Sequence, residues 1–135
     1  MVTGKNIFWL GAGAITVFAL YNHFQKLKPG KVYVRKMAGN YNARTVPPFG
    51  IFISEAQKNN TALIAHEQRH WQQYQNMGLF NYYNTYAKQM KQYGYDAMPM
   101  EKDVRTNETE YCKQNYTDCV RKGLANTVSN PKFRV

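Results

Sequence analysis

Two histidines four residues apart flank a glutamate in the stretch His66-Glu67-Gln68-Arg69-His70, and this spacing constrains the fold more than any other feature of the chain. On an α-helix, residues four apart lie one turn above each other on the same face, so both imidazoles can reach one ion while Glu67 projects beside them. Two such nitrogen ligands with an adjacent carboxylate are typical of a zinc site that has its own general base. The pattern predicts a helix through residues 66–70, a zinc ion and metal-assisted hydrolysis. The alternative is a surface helix with incidental histidines.

A catalytic zinc usually takes three protein ligands and leaves one position for water, so the sequence must supply a third ligand. Glu101 is the strongest candidate because Pro99 reads as the first residue of a new helix, whose dipole favours a carboxylate in its first turn. Asp103 competes but points to another side of the same helix. Glu108 lies seven residues after Glu101 on the same face and suits a supporting role beside the ligands.

The stretch from residue 52 to residue 105 resembles the small gluzincin-type zincin metallopeptidases. The resemblance implies a zincin-like fold, zinc held by His66, His70 and Glu101, and Glu67 as the general base. It also implies that Ile51, Phe52 and Ile53 form an edge strand with which an extended substrate pairs. The segments that carry the resemblance are Ile51-Phe52-Ile53-Ser54, His66-Glu67-Gln68-Arg69-His70-Trp71-Gln72-Gln73, Tyr93-Gly94-Tyr95 and Pro99-Met100-Glu101.

The hypothesis for the reaction is amide hydrolysis. Zinc lowers the pKa of a water ligand to about 7, and Glu67 takes a proton from the attacking water and later passes it to the leaving amine. Tyr93, Tyr95 or Arg105 would stabilise the oxyanion. A peptide and a cell-wall peptide crosslink both fit this chemistry as substrate, and nothing in the sequence defines a specificity pocket that would choose between them.

The pattern of the remaining chain predicts a mostly helical α+β domain. Polar and apolar residues alternate in residues 31–35, and a short apolar run occupies residues 50–54. Both patterns predict strands of a small β-hairpin or sheet packed on the motif helix. The motif helix begins near Asn60 or Thr61 and ends at Gly78, an aromatic helix spans residues 79–93, and a third helix runs from Pro99 to about Lys122. Residues 1–28 form a hydrophobic helix with a basic flank, 29–125 the zincin-like domain and 126–135 a frayed tail.

An uncharged run begins at Ile7 and ends at Tyr21. Its length is marginal for a bilayer, which asks for about 20 apolar residues, but Trp9 and Tyr21 sit near its ends as interface residues do. We expect a single uncleaved N-terminal anchor in a membrane, such as a bacterial envelope or the membrane of a virus particle. The alternative is a buried core helix of a soluble protein.

The net charge of +10 indicates a polyanionic partner, and anionic lipid or acidic cell-wall polymer satisfies it. The chain has no recognisable nucleic-acid-binding module, which disfavours DNA or RNA. Two rival functions therefore stay open. One is a membrane-associated structural protein that assembles with other membrane or virion proteins on a zincin scaffold, and the other is a metal-free binder of anionic lipid.

The two cysteines, Cys112 and Cys119, lie seven residues apart in the predicted third helix. Two helical turns separate their Cα atoms by about 10 Å, beyond the reach of a disulfide, so we predict two free thiols. A helix that breaks between them would instead allow a bridge.

Overall fold

The computed structural model describes residues 4–39 and 41–115, and it describes side chains for residues 12–39 and 41–115. The described part is a mostly helical α+β structure, as the sequence pattern predicted. It contains four α-helices and one three-stranded sheet, of which the strand at residues 43–46 was not predicted. The elements follow in the order α1 (Gly4–Lys26), β1 (Val32–Val34), β2 (Ala43–Val46), β3 (Gly50–Ile53), α2 (Thr61–Met77), α3 (Leu79–Tyr93) and α4 (Pro99–Gln114), with a 3-10 turn at Glu55–Gln57.

Helix α1 contains the whole uncharged run and extends beyond both of its ends. Its far end is fixed to the body, because the Tyr74 hydroxyl lies 3.0 Å from the backbone oxygen of Asn22 and 2.8 Å from its side-chain oxygen and can donate to either. Residues 13–21 are exposed, so this part of α1 is not a buried core helix. None of the helices in the described residues is both long enough and apolar enough to cross a bilayer.

The sheet has the strand order β1-β3-β2, in which β1 runs parallel and β2 antiparallel to β3. The prediction that Ile51, Phe52 and Ile53 form an edge strand is wrong, because β3 is the central strand and pairs on both sides. The physical reason is burial, since Ile51 and Ile53 are completely buried, as suits a central strand. The outer positions belong to β1 and β2, and the side chains of β2 are the more polar.

Helix α2 begins and ends where the sequence predicted. The Asn60 side chain accepts a hydrogen bond from the backbone N–H of Leu63 at 3.0 Å and so caps the first turn. Gly78 has a φ of +83°, a conformation that other residues rarely adopt, and it ends the helix. Both histidines of the motif therefore lie in the middle of a capped helix, where the backbone is held most firmly.

Helix α3 also matches its prediction and ends at Gly94, but α4 is shorter than expected. It ends at Gln114, before the predicted end at Lys122, and the predicted tail at residues 126–135 lies outside the described residues. Cys112 is disulfide-bonded, so the prediction of two free thiols is wrong. Cys119 is the only other cysteine of the chain. The prediction failed because it assumed an unbroken helix from Cys112 to Cys119.

The main core lies between the sheet, α2, α3 and the start of α4, and Trp71 is its largest member. The Trp71 ring packs edge-on against Tyr74 at a centroid distance of 4.9 Å, and its indole N–H donates to the Lys28 carbonyl at 2.7 Å. Gly30 is buried against the same ring, and its carbonyl accepts a hydrogen bond from Gln68. This packing fixes α2 against the sheet. The buried members of the core cluster are Ile51, Trp71, Tyr74, Tyr82, Met98 and Met100.

Candidate metal centre

The structure brings together the three side chains that the sequence predicted as metal ligands. One ligand atom from each of His66, His70 and Glu101 lies within 4.8 Å of the other two, and all three residues are buried. Nε2 of His66 lies 3.6 Å from Oε2 of Glu101, and Nε2 of His70 lies 3.2 Å from Oε1. Around an ion with tetrahedral coordination and bonds of about 2.1 Å, two ligand atoms lie about 3.4 Å apart. The spacing therefore matches that of ligands around one ion.

Glu101 reaches the histidines because α4 packs against α2. Pro99 stands at the start of the helix, where its missing N–H costs no hydrogen bond, and Glu101 lies in the first turn. The helix dipole stabilises a negative charge at this position. The local sequence thus fixes both the start of α4 and the direction of the carboxylate.

His66 presents Nε2 to the cluster because its other nitrogen is engaged by Glu108. Nδ1 of His66 lies 3.0 Å from Oε2 of Glu108. Burial raises the pKa of Glu108 overall, although the hydrogen bond with His66 acts in the opposite direction. An ionised Glu108 can only accept, so Nδ1 carries the hydrogen and Nε2 is left with a lone pair directed at Glu101. Glu108 thus occupies the supporting position that its spacing predicted.

His70 is oriented in the same way by Gln73. The side-chain N–H groups of Gln73 donate to the Met100 carbonyl at 3.0 Å and to Oδ2 of Asp103 at 2.9 Å. Its oxygen must therefore face Nδ1 of His70, which lies 3.0 Å away and donates to it. Nε2 of a neutral His70 then also directs a lone pair at the Glu101 carboxylate.

Arg69 lies inside the motif but is not one of the clustered ligands. It stabilises the contact between Gln73 and Asp103. Its guanidinium donates two hydrogen bonds to the two oxygens of Asp103, at 2.9 and 3.0 Å. That hydrogen bond is the main reason why the pKa of Asp103 is lowered, which keeps Asp103 ionised as an acceptor for Gln73. Asp103, the competing candidate for the third ligand, is therefore bound to Arg69 and Gln73 instead.

Glu101 is a buried anion with one unsatisfied oxygen. The Tyr86 hydroxyl donates to Oε1 at 2.9 Å, whereas Oε2 is buried and has no hydrogen-bond partner. Burial alone would raise the pKa of Glu101, but the hydrogen bond and charge of His70 outweigh it, and the pKa is lowered. A buried carboxylate oxygen without a hydrogen-bond partner, 3.6 Å from Nε2 of His66, is unfavourable unless a cation lies between the two atoms. The donor set and its geometry therefore fit a divalent metal ion.

In the metal-free protein, a proton on His70 supplies part of the positive charge that a metal ion would supply. Burial lowers the pKa of His70, but the hydrogen bond and charge of Glu101 more than offset burial, so the pKa is raised above its usual value. Proton and metal thus compete for the same nitrogen.

Glu67 is held beside the cluster by β2. The Thr45 hydroxyl lies 2.6 Å from Oε2 of Glu67 and 2.9 Å from its backbone oxygen, so it can donate to either. Glu67 lines a cleft of about 490 Å³ together with the three candidate ligands. The other walls are β2 and an aromatic side of α3, where the lining residues are Tyr82, Tyr83, Tyr86 and Met90. A polarised carbonyl and an attacking water could both be reached from this position.

Of the four further residues proposed from the sequence, one lines the cleft, two support the centre and one does neither. Tyr95 lines the cleft, whereas Tyr93 is half exposed at the end of α3 and does not line it. Arg105 donates to the carbonyls of Tyr95 and Asp96 at 3.0 and 2.9 Å, which fixes the turn that carries Tyr95. Arg105 thus braces this turn, and Glu108 contacts His66.

Three residues of the centre were missed by the sequence reasoning: Thr45, Gln73 and Tyr86. Thr45 lies 22 residues before Glu67, and no local signal marks it. Gln73 could have been found, because it lies three residues after His70 on the same helix face. Tyr86 belongs to the aromatic stripe of α3, whose spacing indicates a face but not which ring meets Glu101.

Comparison with models of protein families, with curated protein sequences and with solved structures finds no match to this chain.

Proposed function

We propose that this chain is a zinc-dependent hydrolase of the zincin type that cleaves amide bonds. The observation that carries the proposal is the arrangement around Glu101. Nε2 of His66 and Nε2 of His70 face its carboxylate at 3.6 and 3.2 Å, while each Nδ1 is held by an acceptor on the opposite side. This is how histidine ligands of zinc are usually oriented and made more basic.

The residues that would hold zinc are His66, His70 and Glu101, which leaves a fourth position for water. When bound, zinc supplies an acidified water and a Lewis acid for the carbonyl oxygen of the substrate. Glu67 accepts the proton of the attacking water and returns it to the leaving amine. The hydrogen bond from Thr45 keeps the Glu67 side chain at the cleft wall. Tyr95 is the remaining candidate for stabilising the oxyanion, because it lines the same cleft.

The proposed substrate is an extended peptide, either in a protein or in a cell-wall crosslink. Among the described strands, β2 is an outer strand of the sheet, and its residues Ala43, Arg44, Thr45 and Val46 line the cleft. A peptide can pair with the open edge of such a strand. We therefore assign to β2 the pairing with an extended substrate that the sequence analysis assigned to residues 51–53.

The zincin-like architecture is part of the same proposal. Its support is the contact of the motif helix with a small sheet whose outer strand borders the cleft, and the entry of the third ligand from a later helix. The buried position of the ligands within a lined cleft favours a site that admits substrate.

The test is zinc stoichiometry by elemental analysis of the purified chain. Wild type should carry one zinc per chain, His66→Ala and Glu101→Ala should carry none, and Glu110→Ala, an exposed carboxylate on the same helix, should behave as wild type. Hydrolysis of fluorogenic peptides and of cell-wall peptides should then be lost on chelation and restored by zinc. A wild-type chain without stoichiometric metal overturns the proposal and leaves the metal-free lipid binder.

Zinc without turnover would favour the alternative function, a membrane-associated structural or assembly protein on the same scaffold. The observation in its favour is the exposed apolar side chains of α1, which a freely diffusing enzyme does not need. Full zinc occupancy together with no cleavage of either peptide class would decide for this alternative.

A further inference from the structure

A second concave surface adjoins the cleft of the metal centre, where three segments of the chain converge. It is an apolar groove of about 950 Å³ between α1, the turn from β2 to β3, and the corner between α2 and α3. Phe18, Phe49 and Phe80 line it, one from each segment, and they are 45%, 51% and 79% exposed. Exposed phenylalanines from three separate segments form a contiguous apolar surface, which soluble monomers rarely keep without a partner.

The neighbouring part of the chain is strongly basic. The first acidic residue of the sequence is Glu55, so neither α1 nor the sheet carries a carboxylate side chain. Five cations follow the apolar part of α1: Lys26, Lys28, Lys31, Arg35 and Lys36. Among the described residues, none of these five forms an ion pair with a carboxylate. Their charge is available to a partner.

We propose that this groove and the basic segment after α1 dock the body of the protein onto an anionic phospholipid bilayer. A bilayer with anionic headgroups satisfies both features at once, because the phenylalanines enter the boundary of the acyl chains while the cations lie at the phosphate level. A second copy of this chain is a poor occupant, since each copy carries a net charge of +10 and the two would repel.

The docking surface goes beyond an anchor in α1, because Phe49 and Phe80 belong to the body. Phe49 contacts Tyr21 of α1 at a ring-centroid distance of 6.2 Å, so the turn and the helix form one continuous face. Tyr83 lines both the groove and the cleft of the metal centre. Docking at the groove would therefore hold the cleft beside the bilayer, facing substrates that lie at the membrane surface.

The apolar half of the proposal is tested by co-sedimentation of the full chain with vesicles of phosphatidylcholine containing phosphatidylglycerol. Replacing both Phe49→Ser and Phe80→Ser should weaken binding by about tenfold or more, because two exposed rings no longer enter the lipid. The matched control is Tyr93→Ser, an aromatic residue that is 49% exposed and lines neither surface. It should bind as wild type. Equal binding of the double variant and wild type overturns docking through the body.

The electrostatic half is tested with Lys28→Gln and Lys31→Gln against the pair Lys88→Gln and Lys91→Gln on α3, which are exposed and removed from the basic segment. The first pair should bind anionic vesicles about tenfold more weakly, and the second pair should change binding little. Equal binding of wild type to pure phosphatidylcholine vesicles overturns the proposed headgroup preference. A dimer in light scattering that the Phe49→Ser and Phe80→Ser changes dissolve would assign the groove to a second copy instead.

The metal centre serves as an independent control. The His66→Ala chain should bind vesicles as wild type does, so failure of the docking proposal and failure of the proposed hydrolase are separate results. Circular dichroism of the phenylalanine and lysine variants shows that each has folded. Loss of vesicle binding in His66→Ala with an intact fold would contradict docking through the groove alone.

Discussion

Oε2 of Glu108 lies 3.0 Å from Nδ1 of His66, across 42 residues of sequence, and this contact directs the other nitrogen of His66 towards Glu101. A histidine whose Nδ1 is fixed by a carboxylate is a stronger and better oriented metal ligand than one that is free to rotate. The contact makes Glu108 part of the centre although it is not itself a candidate ligand.

Replacing Glu108→Gln should weaken zinc binding by about tenfold, and Glu108→Ala by up to about a hundredfold, because His66 loses its charged acceptor. The measurement is competition with a fluorescent zinc chelator at pH 7.5. Glu110→Gln on the same helix is the control, since Glu110 is exposed and pairs with Lys113. Unchanged affinity in Glu108→Ala would show that His66 needs no such support.

Gln73 should matter to both metal affinity and stability. Gln73→Ala removes the acceptor for Nδ1 of His70 and one donor to the Met100 carbonyl, which leaves the buried Nδ1 without its partner. We expect a loss of about 1–3 kcal/mol in the free energy of unfolding and about tenfold weaker zinc binding. Urea unfolding and chelator competition measure the two effects. Gln72→Ala, on the exposed side of the same helix, should cost little in either measurement.

The features that could be predicted from the sequence are those whose causes lie close together along the chain. The bounds of α2 and α3 follow from Asn60, Gly78 and Gly94, which act within one turn of the helix end. Glu101 could be chosen because Pro99 starts a helix, whatever the rest of the fold. These features need no knowledge of the tertiary structure.

The features that the sequence did not predict depend on distant partners. Thr45 meets Glu67 only because β2 packs against α2, and nothing near residue 45 indicates this contact. The central position of β3 depends on which strands pair with it, although its buried isoleucines were a usable signal. The break after Gln114 was only the alternative to the predicted helix, because the residues that follow are weak helix formers rather than clear stops.

The proposed general base gives the sharpest prediction about activity. Glu67→Gln should keep one zinc per chain and lower kcat by about 100-fold or more, because a neutral amide cannot accept the proton. The readout is peptide hydrolysis beside elemental analysis of the same sample. Cleavage at the wild-type rate by Glu67→Gln would remove Glu67 from the mechanism.

Thr45 should support Glu67 through its hydroxyl. Thr45→Val keeps the shape but removes the donor to Glu67, so we expect kcat to fall by about tenfold at unchanged zinc content. Thr45→Ser retains the hydroxyl and is the matched control, with activity near that of wild type. Equal rates for the valine and serine variants would show that the hydrogen bond does not position the base.

Two glycines should respond in opposite directions to the same change. A Cβ at Gly30 would lie 2.7 Å from Cδ1 of Ile51 and 2.9 Å from Cγ of Trp71, so Gly30→Ala should lower the free energy of unfolding by about 1–3 kcal/mol. Gly13→Ala in α1 meets nothing within 4 Å and should be neutral or stabilising by up to about 1 kcal/mol. Urea unfolding of both variants compares them, and equal stability would contradict the packing described around Trp71.

The pH dependence of stability should change sign when zinc is bound. In the metal-free protein the pKa of His70 is raised above its usual 6.5, because the hydrogen bond and charge of Glu101 outweigh burial. The stability that His70 contributes is therefore fully present below about pH 6.5 and is lost as the pH rises through its folded-state pKa. Zinc displaces that proton, so the zinc-loaded protein should instead gain stability over the same rise.

Thermal unfolding between pH 6 and 8.5, with chelator or with zinc, should show the two Tm values diverging as the pH increases. In His70→Ala the chelated protein should lose most of its slope, and parallel curves for wild type with and without zinc would contradict a metal bound at His70.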